Sequence, residues 1–208
     1  ILQNLLNEST VSSYKKKEVI FHSRTRTEFV YFVLSGEVML YNLTKHGNRK
    51  VIFILGKGRL LNQSIVSKKP NALFGEAVCP VQALKIPEGV FLRLMEQCHE
   101  LTYSILREYE RNLWRMGHQL KNTTGNMQTE RKIAAKLWKL GRDFGVETEE
   151  GVMVDIDLTI TLMADLVGVP RENVSRACKV LTDRGLIRYS SKRFILTDFD
   201  GLADFYKM

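Results

Sequence analysis

The side chains with the most specific chemistry lie close together in the C-terminal third of the chain. They share the polar face of one predicted helix, at Arg171, Glu172, Ser175, Arg176 and Lys179. An arginine can donate two hydrogen bonds to O6 and N7 of guanine, and a glutamate can accept one from N4 of cytosine. The start of this helix therefore carries groups suited to reading base edges in the major groove of DNA.

Two short helices joined by a tight turn are predicted to position these side chains. The first helix has an apolar stripe made of Leu162, Met163, Leu166 and Val167. Gly168 stops this helix, and Pro170 suits the first position of the second, where its missing N–H would have no partner. The buried face of the second helix consists of Val174, Ala177, Cys178 and Leu181. Upstream, Thr159 and Thr161 either cap the first helix or contact phosphate; capping is the simpler role, and Thr161 is kept as a phosphate candidate.

The residues after this helix-turn-helix favour a winged helix over an ordinary helical hairpin with a solvated outer face. Gly185 ends the second helix, a short strand begins at Leu186, and Ser191 and Lys192 turn the chain into a returning strand. We expect phosphate contacts from the basic residues of this region, Lys179, Arg188, Lys192 and Arg193.

Charge is segregated along the chain. The net charge is +8, but residues 1–126 contain 18 basic and 10 acidic residues, whereas residues 127–208 contain 13 of each. Between Gly168 and Arg193, seven lysines and arginines stand against two acids, a local net charge of +5. Acids of this half cluster ahead of the motif, between Asp143 and Asp157, and we expect them to lie away from it. A nucleic-acid role therefore depends on local segregation of charge and not on the overall pI.

The composition of the sequence indicates the cellular compartment in which the protein is expected to lie. No apolar run reaches 18 residues, so no membrane-spanning helix is expected, and the first six residues are too short and too polar for a signal peptide. Because the sequence lacks an initiator methionine, we expect a few further residues upstream. The three cysteines, Cys79, Cys98 and Cys178, lie far apart. We expect a cytoplasmic protein in a reducing environment, with no membrane partner.

Residues 17–87 are predicted to be rich in β-structure. β-branched and aromatic runs lie at residues 19–21, 29–34, 38–41 and 51–55, with turn-forming residues between them. Short strands at this spacing are typical of a sandwich or barrel-like roll. Further helices are predicted at residues 88–97 and 130–144.

A longer helix, from about residue 100 to 122, carries apolar residues at alternating spacings of three and four. These seam residues are Leu106, Tyr109, Leu113, Met116 and Leu120. The spacing is that of a coiled coil, although such a stripe could also pack on the roll. We favour dimerisation, because Leu101, Ile105 and Trp114 offer a second apolar surface for the roll. Residues 123–126 are a predicted hinge.

This order of elements resembles the Crp–Fnr family, which includes the cyclic-AMP receptor protein and the fumarate-and-nitrate reduction regulator. The most specific matches are Val30–Val38, similar to the family's early roll strand and turn, and Arg171–Arg176. The resemblance covers nearly the whole chain and implies an α+β fold. Its parts would be an N-terminal double-stranded β-helix or β-roll (1–99), a dimerisation helix with hinge (100–126) and a winged helix-turn-helix (127–208).

The resemblance implies a homodimeric, effector-controlled transcription factor that binds an inverted repeat, with RNA polymerase as a further partner. Half-sites would lie about one helical turn apart. Glu172, Ser175 and Arg176 match the Glu-x-x-Ser-Arg pattern of one branch, and Arg171 matches a base-reading arginine of the other. We therefore expect a half-site with a TGA core, of the TGTGA type if Arg171 contributes. The implied mechanism is a shift between two orientations of the winged helices, and activation and repression both remain open.

The effector site departs from the family pattern. Cyclic-nucleotide binders hold the ribose with a Gly-Glu pair and the phosphate with an Arg-Ser pair. Here Asn62 and Gln63 align with the first pair, and Asn71 and Ala72 align with the second. The Gly75–Glu76 pair falls on a different strand in this alignment. Charge-assisted hydrogen bonds of roughly 1.5–3 kcal/mol each would be lost, which argues against cyclic AMP.

Other cofactors of the family also lack ligands. An iron–sulfur cluster needs about four thiolates, and the three cysteines are scattered. Haem needs an axial ligand, and no metal site is expected. His118, with Trp114 beside it, is the remaining candidate for an effector contact, although a surface role is commoner for such a histidine. A different small organic effector, or none, remains open.

Catalytic motifs are absent from the sequence, which has no P-loop, G-x-S-x-G, H-E-x-x-H or glycine-rich dinucleotide loop, so an enzyme is not expected. Two other functions remain. One is a protein-interaction scaffold built on a degenerate roll, against which the arginines of the second helix argue. The other is a nonspecific architectural DNA binder, whose affinity would come from phosphate contacts alone.

Overall fold

The computed structural model describes residues 8–124 and 127–207, and of residues 121–124 it describes the backbone alone. The chain divides into two compact units, residues 1–119 and 120–208. Gly125 and Asn126 of the predicted hinge, like the first seven residues, lie outside the described residues. Strands dominate the first unit and helices the second, which confirms the predicted α+β class.

The N-terminal unit consists of two antiparallel sheets on a shared core. Its strands are β1 (Thr10–Tyr14), β2 (Val19–Phe21), β3 (Phe29–Ser35), β4 (Val38–Leu43), β5 (Arg49–Leu55), β6 (Phe74–Ala77) and β7 (Val81–Pro87). One sheet has the strand order β1-β7-β3 and the other β2-β6-β4-β5. Buried side chains of both sheets, among them Tyr31, Val33, Leu40 and Phe53, form one apolar cluster. The predicted β-roll is confirmed.

Strands β2 to β5 lie where the sequence predicts them, because each is a run of β-branched and aromatic residues bounded by turns. The sequence pattern does not single out β1, β6 or β7. Strand β1 is largely polar, and β6 contains a glycine and a glutamate, so neither has the composition of a typical strand. Pairing with neighbouring strands stabilises them instead.

Two helices follow the roll, α1 (Glu88–Gln97) and α2 (His99–Thr124), and both are predicted. Phe91 and Leu94 of α1 and Ile105 of α2 are buried with Val30 and Ile86 in a second apolar cluster. This cluster attaches the first turns of α2 to the roll.

Leu101 and Ile105 of α2 pack on the roll, as predicted, whereas Tyr109 and Trp114 do not lie where they are predicted. Four seam residues, Leu106, Leu113, Met116 and Leu120, are exposed in the protomer. Tyr109 is instead packed against the second apolar cluster, where burial raises the pKa of its hydroxyl to about 12. Trp114, predicted to face the roll, is exposed. Tyr109 follows Ile105 by four residues and therefore lies on the same inward face of the helix.

The C-terminal unit is a winged helix-turn-helix. Its elements are α3 (Thr129–Phe144), β8 (Gly145–Thr148), β9 (Gly151–Val154), α4 (Ile160–Val167), α5 (Arg171–Asp183), β10 (Arg188–Ser190), β11 (Arg193–Leu196) and α6 (Phe199–Lys207). The strands form one antiparallel sheet in the order β10-β11-β9-β8. The helices α3 to α5 and the hairpin β10–β11 are predicted. The hairpin β8–β9 is not, because its exposed acidic residues have the composition of a solvated loop.

A close approach at Gly141 holds α3 against the rest of this unit. A Cβ atom at this position would lie 2.5 Å from Cδ1 of Leu196 and 2.9 Å from Cε2 of Phe199. Trp138, one turn earlier, stacks on the ring of Phe199 with 5.7 Å between centroids. Helix α3 also contacts α4, α5 and the strands β8 and β9. It is the central element of the unit.

The capping role of Thr159 gives a stability prediction. Its side-chain oxygen accepts a hydrogen bond from the backbone N–H of Leu162 at 3.1 Å, whereas Thr161 is exposed. We expect Thr159→Ala to lower the free energy of unfolding by about 1 kcal/mol, because one N–H of the first turn loses its partner. Urea denaturation, followed by Trp138 fluorescence in a Trp114→Phe background, measures it. Thr161→Ala is the matched control, and equal losses for both variants would refute the assignment.

Candidate nucleic-acid interface

The turn between α4 and α5 places the second helix as the sequence predicts, with one correction. Gly168 ends α4 in the left-handed conformation, with a φ of 79°. Pro170 is the N-cap of α5, with φ −57° and ψ 147°, and not its first helical residue. The helix begins at Arg171 because the extended ψ of Pro170 precedes the first helical turn. The arginine thus stands at the very start of the helix.

Helix α5 is divided into a buried and an exposed face. Val174, Ala177, Cys178 and Leu181 are buried, as predicted. The candidate base-reading residues Arg171, Glu172, Ser175 and Arg176 are exposed, and so is the candidate phosphate contact Lys179. The structure therefore brings all five onto one solvent-facing side of a single helix.

Asn173 is a further polar residue of this surface that the sequence analysis does not single out. The guanidinium of Arg176 donates a hydrogen bond to Oδ1 of Asn173. The two residues are three positions apart and therefore neighbours on the helix surface. This contact places the Arg176 guanidinium beside the Asn173 amide on the helix surface.

The wing is the hairpin β10–β11. Ser191 and Lys192 occupy its turn with φ values of 50° and 65°, the left-handed pair that a two-residue hairpin requires. Lys192 is exposed at the tip. The ring of Tyr189 packs on that of the buried Phe194, with 4.4 Å between centroids, which fixes the hairpin to the core.

The two wing arginines are paired with acids. Arg188 forms an ion pair with Glu150, and Arg193 forms one with Asp155. The expectation that the acids ahead of the motif lie away from it is wrong for these two. Strand pairing brings them beside the wing, which sequence distance does not show.

The candidate effector residues of the roll are engaged within the chain. Buried Asn62 accepts a hydrogen bond from the N–H of Tyr31 at 2.8 Å and donates one to the carbonyl of Phe29 at 2.9 Å. Buried Asn71 donates to the carbonyl of Thr25 at 3.1 Å. These side chains therefore hold the loop between β5 and β6 against the start of β3.

The remaining residues of this candidate pocket make local contacts within the N-terminal unit. The side chain of Gln63 donates to the carbonyl of Leu61 and accepts from the N–H of Leu73, and Ala72 is exposed. On α2, His118 and Trp114 are both exposed, with rings stacked 3.8 Å apart. Gln63 thus makes contacts within its own loop, and Trp114 and His118 stack on each other at the surface of α2.

Glu76 has a structural role in the roll. Its carboxylate is buried on β6, receives a hydrogen bond from the Tyr41 hydroxyl at 3.1 Å and pairs with Arg49 at 2.9 Å. Among the described residues, no group of three or more histidine, cysteine, aspartate or glutamate side chains could hold a metal ion.

An N-terminal roll followed by a winged helix with an exposed, arginine-bearing face defines a class: a two-unit DNA-binding protein with a sensor-like first unit. A family model for the cyclic nucleotide-binding domain matches residues 11–98, and one for the Crp-like helix-turn-helix domain matches residues 131–205. The chain belongs to the Crp–Fnr family of DNA-binding transcriptional regulators.

Individual relatives cover most of the chain. The CRP-like cAMP-activated global transcriptional regulator of Mycobacterium tuberculosis (strain ATCC 25618 / H37Rv) is 24% identical over 191 residues, 91% of this chain and 85% of the relative. The global nitrogen regulator of Nostoc sp. (strain PCC 7120 / SAG 25.82 / UTEX 2576) is 24% identical over 186 residues, 88% and 83% of the two chains. The structure of FixK2 from Bradyrhizobium japonicum shares the fold, with a TM-score of 0.80 at 19% identity over 94% of this chain and 96% of that one. The relatives are regulators and not enzymes. None of the described helices has the length and apolar content to cross a bilayer.

The thiol behind the DNA-facing surface gives a pH prediction. Burial raises the pKa of Cys178 from 9.0 to about 11, so less thiolate forms at a given pH than in an ordinary cysteine. We expect Cys178 in the folded protein to react with iodoacetamide at pH 8 much more slowly than the half-buried Cys98. In denaturant, we expect the two cysteines to react at the same rate. Peptide mass spectrometry of labelled protein measures both. Rapid native labelling of Cys178 would mean that the buried face of α5 opens readily.

Proposed function

We propose that this regulator reads a specific inverted repeat as a homodimer, with half-sites that contain a TGA core. The observation that carries the proposal is the division of α5 into a fully buried apolar face and an exposed face with Arg171, Glu172, Ser175 and Arg176. Two arginines and a glutamate at a helix start suit guanine and cytosine edges in the major groove. The resemblance to the family supports the TGA core.

Phosphate contacts support the base contacts in this proposal. Lys179 on α5, Lys192 at the wing tip and Thr161 on α4 are exposed and available to the DNA backbone. Arg188 and Arg193 would join them. Such contacts set the position of the protein on DNA without reading sequence.

The homodimer would form through the exposed seam residues of α2. Leu113 and Leu120 are 72% and 62% exposed, and Leu106 and Met116 are half-exposed. A second copy would bury this stripe against itself in an isologous interface. Exposed Trp114 and Tyr103 flank the stripe and enlarge the apolar surface.

The effector would be a molecule other than cyclic AMP. Gln63 and Asn71 align with the ribose carboxylate and the phosphate-binding arginine, and both side chains are hydrogen-bonded within the chain. The three cysteines lie far apart in the sequence, which also argues against an iron–sulfur cluster. His118 remains a candidate contact for a small organic effector, and haem is not proposed. We further propose a cytoplasmic location and RNA polymerase as a partner, with the functional division 1–99, 100–126 and 127–208.

The proposed function is tested by fluorescence anisotropy on a TGTGA-type inverted repeat and on a scrambled duplex, each titrated with salt. We expect tighter binding to the repeat. Arg176→Ala should cost roughly 1–3 kcal/mol on the repeat and relax specificity at one base pair, because one bidentate base contact is lost. Lys179→Ala is the matched control on the same face, and it should weaken both duplexes alike. Equal wild-type affinity for both duplexes over the whole salt range would refute sequence-specific reading.

The dimer is tested by a charge in the seam. We expect Leu113→Asp to convert dimers to monomers and to abolish tight binding to the repeat, because a desolvated carboxylate would lie in an apolar interface. Val66→Asp is the matched control, since Val66 is 70% exposed but lies on a loop of the roll. Sedimentation velocity measures the oligomeric state. A Leu113→Asp protein that stays dimeric would place the interface elsewhere.

A further inference from the structure

Two arginines of the wing form ion pairs with acidic residues that lie outside the wing. Arg188 of β10 is paired with Glu150, in the turn between β8 and β9, and Arg193 of β11 is paired with Asp155, just after β9. All four side chains are a third or more exposed, from 36% for Arg193 to 52% for Arg188 and Asp155. A ligand arriving from solvent can therefore reach both guanidinium groups.

Strand register independently places Asp155 beside Arg193. Met153 of β9 lies opposite Ile195 of β11, and the two strands are antiparallel. Two residues further along, Asp155 therefore lies opposite Arg193. The backbone therefore brings the two residues close together, independently of the contact between their side chains.

The second acid is held in place by a close backbone approach. A Cβ atom on Gly151 would lie 2.3 Å from the carbonyl oxygen of Leu196, so the β8–β9 turn can lie against β11 because this residue is glycine. The Thr148 hydroxyl donates a hydrogen bond to the Gly151 carbonyl at 2.6 Å and closes the turn. Glu150 is thereby fixed next to the wing.

We propose that Glu150 and Asp155 are affinity-limiting residues, whose carboxylates occupy Arg188 and Arg193 in place of DNA phosphates. The proposal rests on the proposed DNA-binding function and deepens it. Guanidinium groups bind carboxylate and phosphate with the same fork of N–H donors, so the two anions compete for the same arginine. DNA must displace the acid before its phosphate can bind the arginine.

This competition lowers the part of the affinity that does not depend on sequence. A phosphate contact strengthens binding by releasing condensed counterions, and an arginine that is already neutralised contributes less of this release. Base contacts from α5 then make up a larger share of the total binding free energy.

The test uses Glu150→Gln, Asp155→Asn and the double variant in the full chain. We expect each single variant to bind the inverted repeat and random DNA roughly 3- to 10-fold more tightly near 0.1 M salt. The slope of log K against log salt should steepen by about 0.9 for each additional phosphate that a released arginine neutralises. The ratio of the two affinities should stay unchanged, because phosphates carry no sequence information.

Glu149→Gln is the matched control, because Glu149 is adjacent, is exposed and pairs with no described residue. Its substitution removes the same charge without releasing an arginine, so the salt slope should not change. An increase in affinity for Glu149→Gln equal to that for Glu150→Gln would overturn the proposal and leave general charge as the cause.

A second arm tests the pairing directly. Glu150→Gln should increase the affinity when Arg188 is present and should give no increase in an Arg188→Ala background. An increase that persists without Arg188 would overturn the proposal. Failure of the wild-type chain to bind either duplex would refute the proposed function itself. A wild-type protein that binds DNA, together with a Glu150→Gln variant of unchanged affinity, would overturn only the role of the acids.

Discussion

The direction in which the exposed side chains of α5 point depends on the burial of the opposite face of this helix. Val174, Ala177 and Leu181 are completely buried, and α3 and α4 pack on this side of the helix. A rotation of the helix by one residue, about 100°, would carry a guanidinium toward the core and an apolar residue into water. Burial of an unpaired charge costs several kcal/mol, so this rotation is strongly unfavourable. The apolar contact thus fixes the direction in which Arg171 and Arg176 point.

The roll stabilises itself in a different way, through buried polar groups that satisfy one another. Asn62 and Asn71 hold the long loop to the strands that precede it, and Glu76 is held by Tyr41 and Arg49. A buried polar group with partners is favourable, and one without them is costly. The chain itself therefore supplies the partners of these buried polar groups. An effector would have to compete with these contacts or bind elsewhere on the unit.

The sequence predicts those parts of the molecule that rest on local periodicity. The helix-turn-helix shows its buried faces at helical spacing and its ends at Gly168 and Gly185, and the strands of the roll follow from runs of β-branched residues. It does not predict contacts between distant segments. The pairs Arg188–Glu150 and Arg193–Asp155 join residues 38 positions apart, and they depend on a hairpin whose composition resembles a loop. The buried position of Tyr109 and the exposure of Trp114 are not predicted for a related reason. Spacing defines an apolar stripe on α2 but does not show which element packs against it.

Glycine at position 141 affects how the C-terminal unit can move, because it has no side chain. Helix α3 touches the wing sheet at Leu196 and α6 at Phe199 so closely that no methyl group fits between them. A tightly packed contact of this kind transmits displacement with little deformation. Movement of the first turn of α3, at Thr129, therefore carries wing, α5 and α6 along together as one stiff body. Control of this unit can then change where the arginines are, while the distances among them stay constant.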